Sequence, residues 1–214
     1  MELKSETKEA SETVDTIEVE QEFMRHSGWL ERPSFRITLI SIFTALAIVL
    51  GYLLHQFINI ELFTLTIFLS GFILGKRDGM IVGFFSSFIF CFFNPLSPSP
   101  FPLLIFQLVH YTLTGLIGAL LSGFLSKKGI LNKDKDLYQF SLMAIFGCIG
   151  ALITTSFQIF ASLVYTLSFY NSFSQFITHF LTGAVFTAIH IIGNTLGFIF
   201  ILPGLIQLIN KMLY

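Results

Sequence analysis

The chain has 214 residues, of which 54% are hydrophobic and only 12% charged. A soluble domain carries about 25% charged residues, so the composition excludes an ordinary soluble fold and indicates a membrane protein. The net charge of −1 conceals two regions, because nine of the thirteen acids fall in residues 1–31 and only Glu61, Asp78, Asp134 and Asp136 follow.

Residues 1–22 are polar, acidic and poor in aromatics, the composition of a disordered segment. Residues 23–36 mix Phe23, Met24, Trp29 and Leu30 with Arg25, Arg32 and Arg36, which predicts an interfacial approach with Trp29 at headgroup level. The first apolar run, Ile37–Phe57, follows an acidic stretch with no basic n-region and no cleavage site, so it reads as a first span and not a signal peptide. The second and third, Glu61–Leu74 and Met80–Phe93, are short, at about 14 residues or ~21 Å each, against the ~20 residues usual for a span. A re-entrant hairpin would leave Lys76 and Arg77 in hydrocarbon. Two short spans joined by a cytoplasmic turn at Gly75–Gly79 are expected instead.

The connection Phe93–Pro102 holds four of the six prolines. Such a loop is stiff and extended, either a fixed wall or lid over a site or a rigid connector. The fourth span is Pro102–Leu125 and the fifth Leu137–Leu167. The sixth runs from Phe176 at least to Ile201, with a break or kink at Pro203–Gly204. No internal repeat is evident.

Charge orders these spans. The connections after the second and fourth carry Lys76, Arg77, Lys127, Lys128, Lys133 and Lys135, while those after the first, third and fifth carry no Lys or Arg. Basic residues near span ends stay cytoplasmic. The expected fold is therefore an all-α integral membrane bundle of six transmembrane helices with cytoplasmic N and C termini, in a bacterial cytoplasmic membrane. Residues 1–36 form the tail and 37–214 the membrane domain. The bilayer is the first partner. No basic patch outside the short inner loops points to nucleic acid.

Motifs for chemistry are weak. The run Gly71-Phe-Ile-Leu-Gly75-Lys76-Arg77 fails as a phosphate loop, which needs four residues between its glycines and Ser or Thr after the Lys. Any nucleotide hydrolysis therefore belongs to another subunit. There is no nucleophile elbow, no His-Glu-x-x-His and no paired acids inside a span. Cys91 and Cys148 lie in apolar spans and make neither a metal site nor a disulfide framework. No metal or cofactor is expected. Glu61 reads either as a solvated helix N-terminal carboxylate or as a ligand contact beneath the outer loops.

Polar residues inside spans are the informative ones. Gln107, His110, Tyr111 and Thr114 share one face of the fourth span. Thr154, Thr155, Gln158, Ser162 and Tyr165 form a stripe in the fifth. His179, Thr182, Thr187, His190 and Asn194 form a third in the sixth. Taken as a straight rod, that span puts His190 ~21 Å below Phe176, too deep for an outward pocket and suited to an interhelical hydrogen bond. Any one of these residues can be helix–helix glue, but three stripes in outer halves indicate a polar pocket open to the outside. Small residues such as Gly115, Gly118, Gly123, Gly147, Gly150 and Gly197 indicate close helix packing. Ser41, Ala45 and Ala47 form a strip on the first span that could pack internally or meet a partner.

The segment Glu61-Leu-Phe-Thr-Leu-Thr-Ile-Phe-Leu-Ser-Gly-Phe-Ile-Leu-Gly75, then Phe-Asn94-Pro95 with its proline loop, then Pro102-Leu-Leu-Ile-Phe-Gln107, resembles the membrane S components of energy-coupling factor (ECF) vitamin transporters, over about Ile37–Met212. The resemblance implies a subunit that binds a vitamin-like small molecule near its outer face without chemical change. It also implies docking on a membrane coupling subunit that carries two ATPases, and toppling to release cargo inside. Family members carry an alanine pair at four-residue spacing on the first helix. Here Ser41 and Ala45 occupy that spacing and the second alanine is displaced to Ala47. The expected pocket residues are Glu61, Asn94 and Gln107 from the matching segments, and His110, Gln158, Asn171 and His179 from depth and facing. Tyr111, Tyr165 and Tyr170 are expected as stacking surfaces. Two other readings stand beside this one: a membrane enzyme with His110 or His179 as base, and an assembly subunit whose polar stripes face another protein.

Overall fold

The computed structural model describes residues 32–54, 61–94, 98–131, 136–170 and 172–213. The acidic tail with Trp29, and also Lys133, Lys135 and Asn171, lie outside the described residues. Every regular element among those described is helical: α1 Pro33–Leu54, α2 Phe63–Leu74, α3 Lys76–Phe92, α4 Phe101–Lys127, α5 Phe140–Phe169, α6 Phe173–Thr182, α7 Ala184–Leu196 and, after a π-helical turn at Gly197–Ile201, α8 Leu202–Leu213. Four stretches are long and apolar enough to cross a membrane: α1, α4, α5 and the run Ala184–Met212. α2 is a shorter apolar helix.

α2 is the centre of the bundle. It is apolar on every side, as a helix buried all round must be, and eleven of its twelve residues are buried. Its length of about 18 Å is no defect, since protein and not lipid surrounds it. The third helix begins at Lys76, earlier than expected, so Lys76, Arg77 and Asp78 form its first turn. The turn between α2 and α3 is a single residue, Gly75, whose φ of 93° suits glycine. Asp78 in that first turn accepts hydrogen bonds from Arg36 Nε and Nη2 at 2.9 and 2.7 Å, joining the start of α1 to the α2–α3 turn.

Glycines bring α2, α3 and α4 into backbone contact. A Cβ on Gly115 would lie 2.2 Å from the Gly79 carbonyl oxygen, and one on Gly118 would lie 2.1 Å from that of Phe68. Gly71, one of the glycines of the failed phosphate loop, belongs to the same seam, because its Cβ would meet the Gly115 oxygen at 1.8 Å. Gly123 does not share this role: it is exposed, with open space where a Cβ would stand.

The last span differs most from expectation. It is interrupted at Gly183, which separates α6 from α7, and it does not break at Pro203. A proline inside a helix has no N–H to give and crowds the preceding turn. Here the π turn just before it absorbs the misfit, with the Leu202 N–H reaching back to the Gly197 oxygen. The Phe200 carbonyl accepts a bond from the Tyr138 hydroxyl at 2.9 Å. Gly204 leaves room for that hydroxyl, since a Cβ there would stand 2.6 Å from it. Asp136 completes the join, accepting from the Tyr138 N–H and from Gln207 Nε2, both at 2.9 Å. The π turn also aims Phe198 inward, against Phe68 at 5.1 Å between ring centroids and over Gly150.

Candidate functional site

Glu61 is the residue around which the polar side chains gather. Its side chain is 19% exposed, so it is a half-buried carboxylate and not the solvated helix-end acid that its sequence position allows. The shortness of α2 is the reason. With its far end at the charged Gly75 turn, its N-terminus lies only about 18 Å away, inside the bundle. The Glu61 Oε1 atom accepts from Thr64 Oγ1 at 2.5 Å, from His190 Nε2 at 3.0 Å and from Asn194 Nδ2 at 3.4 Å. Asn194 Nδ2 also donates to Thr154 Oγ1 at 3.0 Å, and Thr154 in turn donates to the Gly150 carbonyl.

His190 links this cluster to a cleft. Gln158 Nε2 sits 2.5 Å from His190 Nδ1. An amide nitrogen only donates, so Nδ1 accepts and the imidazole proton is on Nε2, pointing at Glu61. The 3.3 Å approach of Asn194 Nδ2 to His190 Nε2 is then a contact between two donors and not a bond. Gln158 also lines a cleft of about 300 Å³ between α5 and the α6–α7 junction, together with Ser162, His179, Gly183 and Thr187. Phe180 and Phe186 supply its apolar wall.

A second polar group faces the same region from α4. The ring of His110 packs against Phe157 at 5.1 Å and against Phe106 at 5.7 Å. Phe157 stands between His110 and His190, its centroid 6.4 Å from the latter. Tyr111 is buried, edge-on to Phe63 at 4.8 Å and 5.5 Å from Phe157. Among the described residues, four buried side-chain atoms have no hydrogen-bond partner: Gln107 Oε1, His110 Nε2, Thr166 Oγ1 and Asn194 Oδ1. Leaving such groups unpaired costs about 1–3 kcal/mol each, and two of the four, Asn194 Oδ1 and His110 Nε2, belong to side chains that touch Glu61 and Phe157 respectively.

The structure therefore brings some expected residues together and separates others. Glu61 and Gln158 are joined through His190; His110 and Tyr111 pack on Phe157 beside them, and Gln107 is half-buried one turn before them on α4. His179 reaches the cleft, with its ring stacked on Tyr165 at 5.4 Å, so Tyr165 already has an aromatic partner. Tyr170 is exposed at the end of α5 and does not line the cleft. Asn94 is half-buried after the end of α3, also away from the cleft lining. On α1, Ser41 and Ala45 are exposed, but Ala47 is fully buried and faces the bundle instead of a docking partner. The position that continues the exposed face, by i, i+4, i+7 spacing, is the half-buried Ile48, so the small-residue strip ends at Ala45.

Along a straight sixth helix His190 is too deep for an outward pocket and suited to an interhelical hydrogen bond, and the structure agrees: His190 bonds Gln158 and Glu61 and does not line the cleft. Asn194 and Thr154, each part of a polar stripe in the sequence, join Glu61 in one cluster, and the reading that fails is that of Glu61 as a solvated helix-end carboxylate. One signal in the sequence points to its burial: the length of α2, which places Glu61 inside.

An all-helical membrane bundle with an acidic, hydrogen-bond-rich inner wall beneath a small cleft has the construction of a binding subunit. The family model for the ECF transporter, substrate-specific component, matches residues 35–212, and the chain belongs to this family. No curated protein and no solved structure gives a significant match. The protein is thus a substrate-binding subunit of an ECF transporter, and a membrane protein of transport.

Proposed function

We propose that this subunit captures a vitamin-like micronutrient in the cleft between α5 and the α6–α7 junction. It then delivers the cargo inward together with a coupling membrane subunit and two ATPases. The observation that carries the reading is the chain of contacts from the cleft through Gln158 and His190 to Glu61, next to buried polar atoms that lack partners. A ligand entering beside Phe157 would supply those partners. The protein does no chemistry on it. The α6 helix, with no buried residue and the interruption at Gly183 after it, is the element placed to admit it.

In this reading all six apolar segments cross the bacterial cytoplasmic membrane with both termini inside. The Arg36–Asp78 pair supports it, because it puts the start of α1 beside the α2–α3 turn, as even numbers of crossings require. Docking uses the α1 face of Ser41 and Ala45, where small side chains allow close helix approach. The test is to purify the protein in mild detergent from cells grown in rich medium, denature it and identify the released small molecules by mass spectrometry. A stoichiometric heterocyclic micronutrient is the expected result. Lipid alone, from a folded preparation that also ignores a vitamin panel, would sink the reading.

A further inference from the structure

We infer that the cargo is a cationic nitrogen heterocycle, received by Glu61, and that the site rejects anionic micronutrients. The inference rests on the binding role proposed above and narrows it to a charge class.

The charge inventory of the site is one-sided. No Lys or Arg occurs between Arg77 and Lys127 or between Lys135 and Lys211, the stretches that build most of α3, α4, α5, α6 and α7. The cleft lining has no Lys, Arg, Asp or Glu. Glu61 does not line the cleft but lies behind it, joined through Gln158 and His190, and among the described residues no Lys or Arg is a hydrogen-bond or ion-pair partner of it. Its neutral neighbours have their donors committed. The His190 proton points at Glu61 while Gln158 holds the other ring nitrogen, so His190 has no proton to offer an incoming carboxylate. The Asn194 amide hydrogens go to Glu61 and Thr154.

What remains open is acceptor capacity. All three bonds to Glu61 end on Oε1, and among the described residues Oε2 receives none. Asn194 Oδ1, on a side chain bonded to Glu61, is buried and unpaired, as is His110 Nε2, which accepts in the neutral Nδ1–H tautomer. A ligand matches these atoms by bringing positive charge and N–H groups. An anion would bring further acceptors into a low-dielectric space beside a carboxylate, where like charges repel strongly. The apolar wall agrees: Phe180 and Phe186 line the cleft, and the ring of Phe157 lies near His190, aromatic rings of the kind that attract a delocalised cation.

The experiment uses the full chain in detergent and measures binding by calorimetry of thiamin, a permanent azolium cation, riboflavin, which is neutral, and biotin and pantothenate, which are carboxylates. The ligand released on denaturation is identified in parallel. The expected result is a cationic ligand, bound or released, whose affinity falls about 10- to 100-fold in Glu61→Gln, the loss typical of a hydrogen bond to a charged group. A carboxylate or neutral ligand bound to the wild type overturns the inference on charge while leaving the binding role intact, and this arm needs no variant to fold. A cationic ligand whose affinity is unchanged in a folded Glu61→Gln protein also overturns it. If nothing is bound or released, the binding role falls and this inference with it.

Discussion

Glu61 is a carboxylate taken into the bundle by the brevity of one helix, and its neighbours hold it there. A half-buried charge whose donors are removed costs about 3–5 kcal/mol. His190→Leu should therefore destabilise the detergent-solubilised protein by roughly that amount, seen as a lower midpoint in thermal unfolding. Gln158→Leu leaves every bond to Glu61 in place and removes only the partner of His190 Nδ1. Its cost should stay near 1–3 kcal/mol. Equal losses in the two variants would mean that His190 does not hold the carboxylate. The polar residues of this site are legible singly in the sequence, because polar side chains in apolar spans stand out. Their grouping is not legible, since Glu61 and His190 lie 129 positions apart and meet only once α2 is known to be central.

At the scale of elements, the seam between α2, α3 and α4 is set by backbones in contact, so its glycines tolerate no side chain. Gly115→Ala would push a methyl to 2.2 Å from a carbonyl oxygen and should cost at least about 3 kcal/mol, the upper range for overpacking. Gly123→Ala, into open space, should be neutral or stabilising, as glycine is the weaker helix former by about 1 kcal/mol. A denaturation series on the two variants compares them directly. The join at Asp136 is a second element-scale device. The Tyr138 N–H and Gln207 bonds hold this exposed carboxyl below its ordinary pKa, so the tether is complete above the usual carboxylate range and is lost as pH falls through the lowered value. Hydrogen exchange at the Tyr138 amide should accelerate, relative to the intrinsic rate, on acidification below that range and not between neutral pH and it. The approximate bounds of α1, α4 and α5 follow from apolar runs and turn residues. The π turn does not, because a proline within an apolar run reads as a break unless a wide turn and an outside donor such as Tyr138 are there to absorb it.

For the molecule as a whole, the distribution of small and charged residues separates an uncharged polar cleft from an exposed apolar face on α1. Among the described residues, Lys and Arg occur at helix ends and the Gly75 turn, while the cleft is free of them. α1 packs on α2 and α3, burying Phe43, Ala47 and Gly51. Its other side exposes Ile42, Leu46, Val49 and Leu53 with Ser41 and Ala45 between them. An apolar face in lipid gains nothing from hydrophobic burial against another helix, so association there depends on how closely backbones can approach. Small residues four apart permit that approach, and the same geometry makes it fragile. Ala45→Leu should leave ligand binding by the isolated subunit unchanged, since Ala45 lies on the lipid-facing side of α1. It should reduce co-purification with the coupling subunit and abolish ATP-dependent uptake in reconstituted vesicles. Ala47→Leu should act oppositely, destabilising the subunit itself because Ala47 is fully buried. Uptake and binding that fall together in Ala45→Leu would show that α1 serves the pocket and not the docking, and would move the coupling interface to another helix.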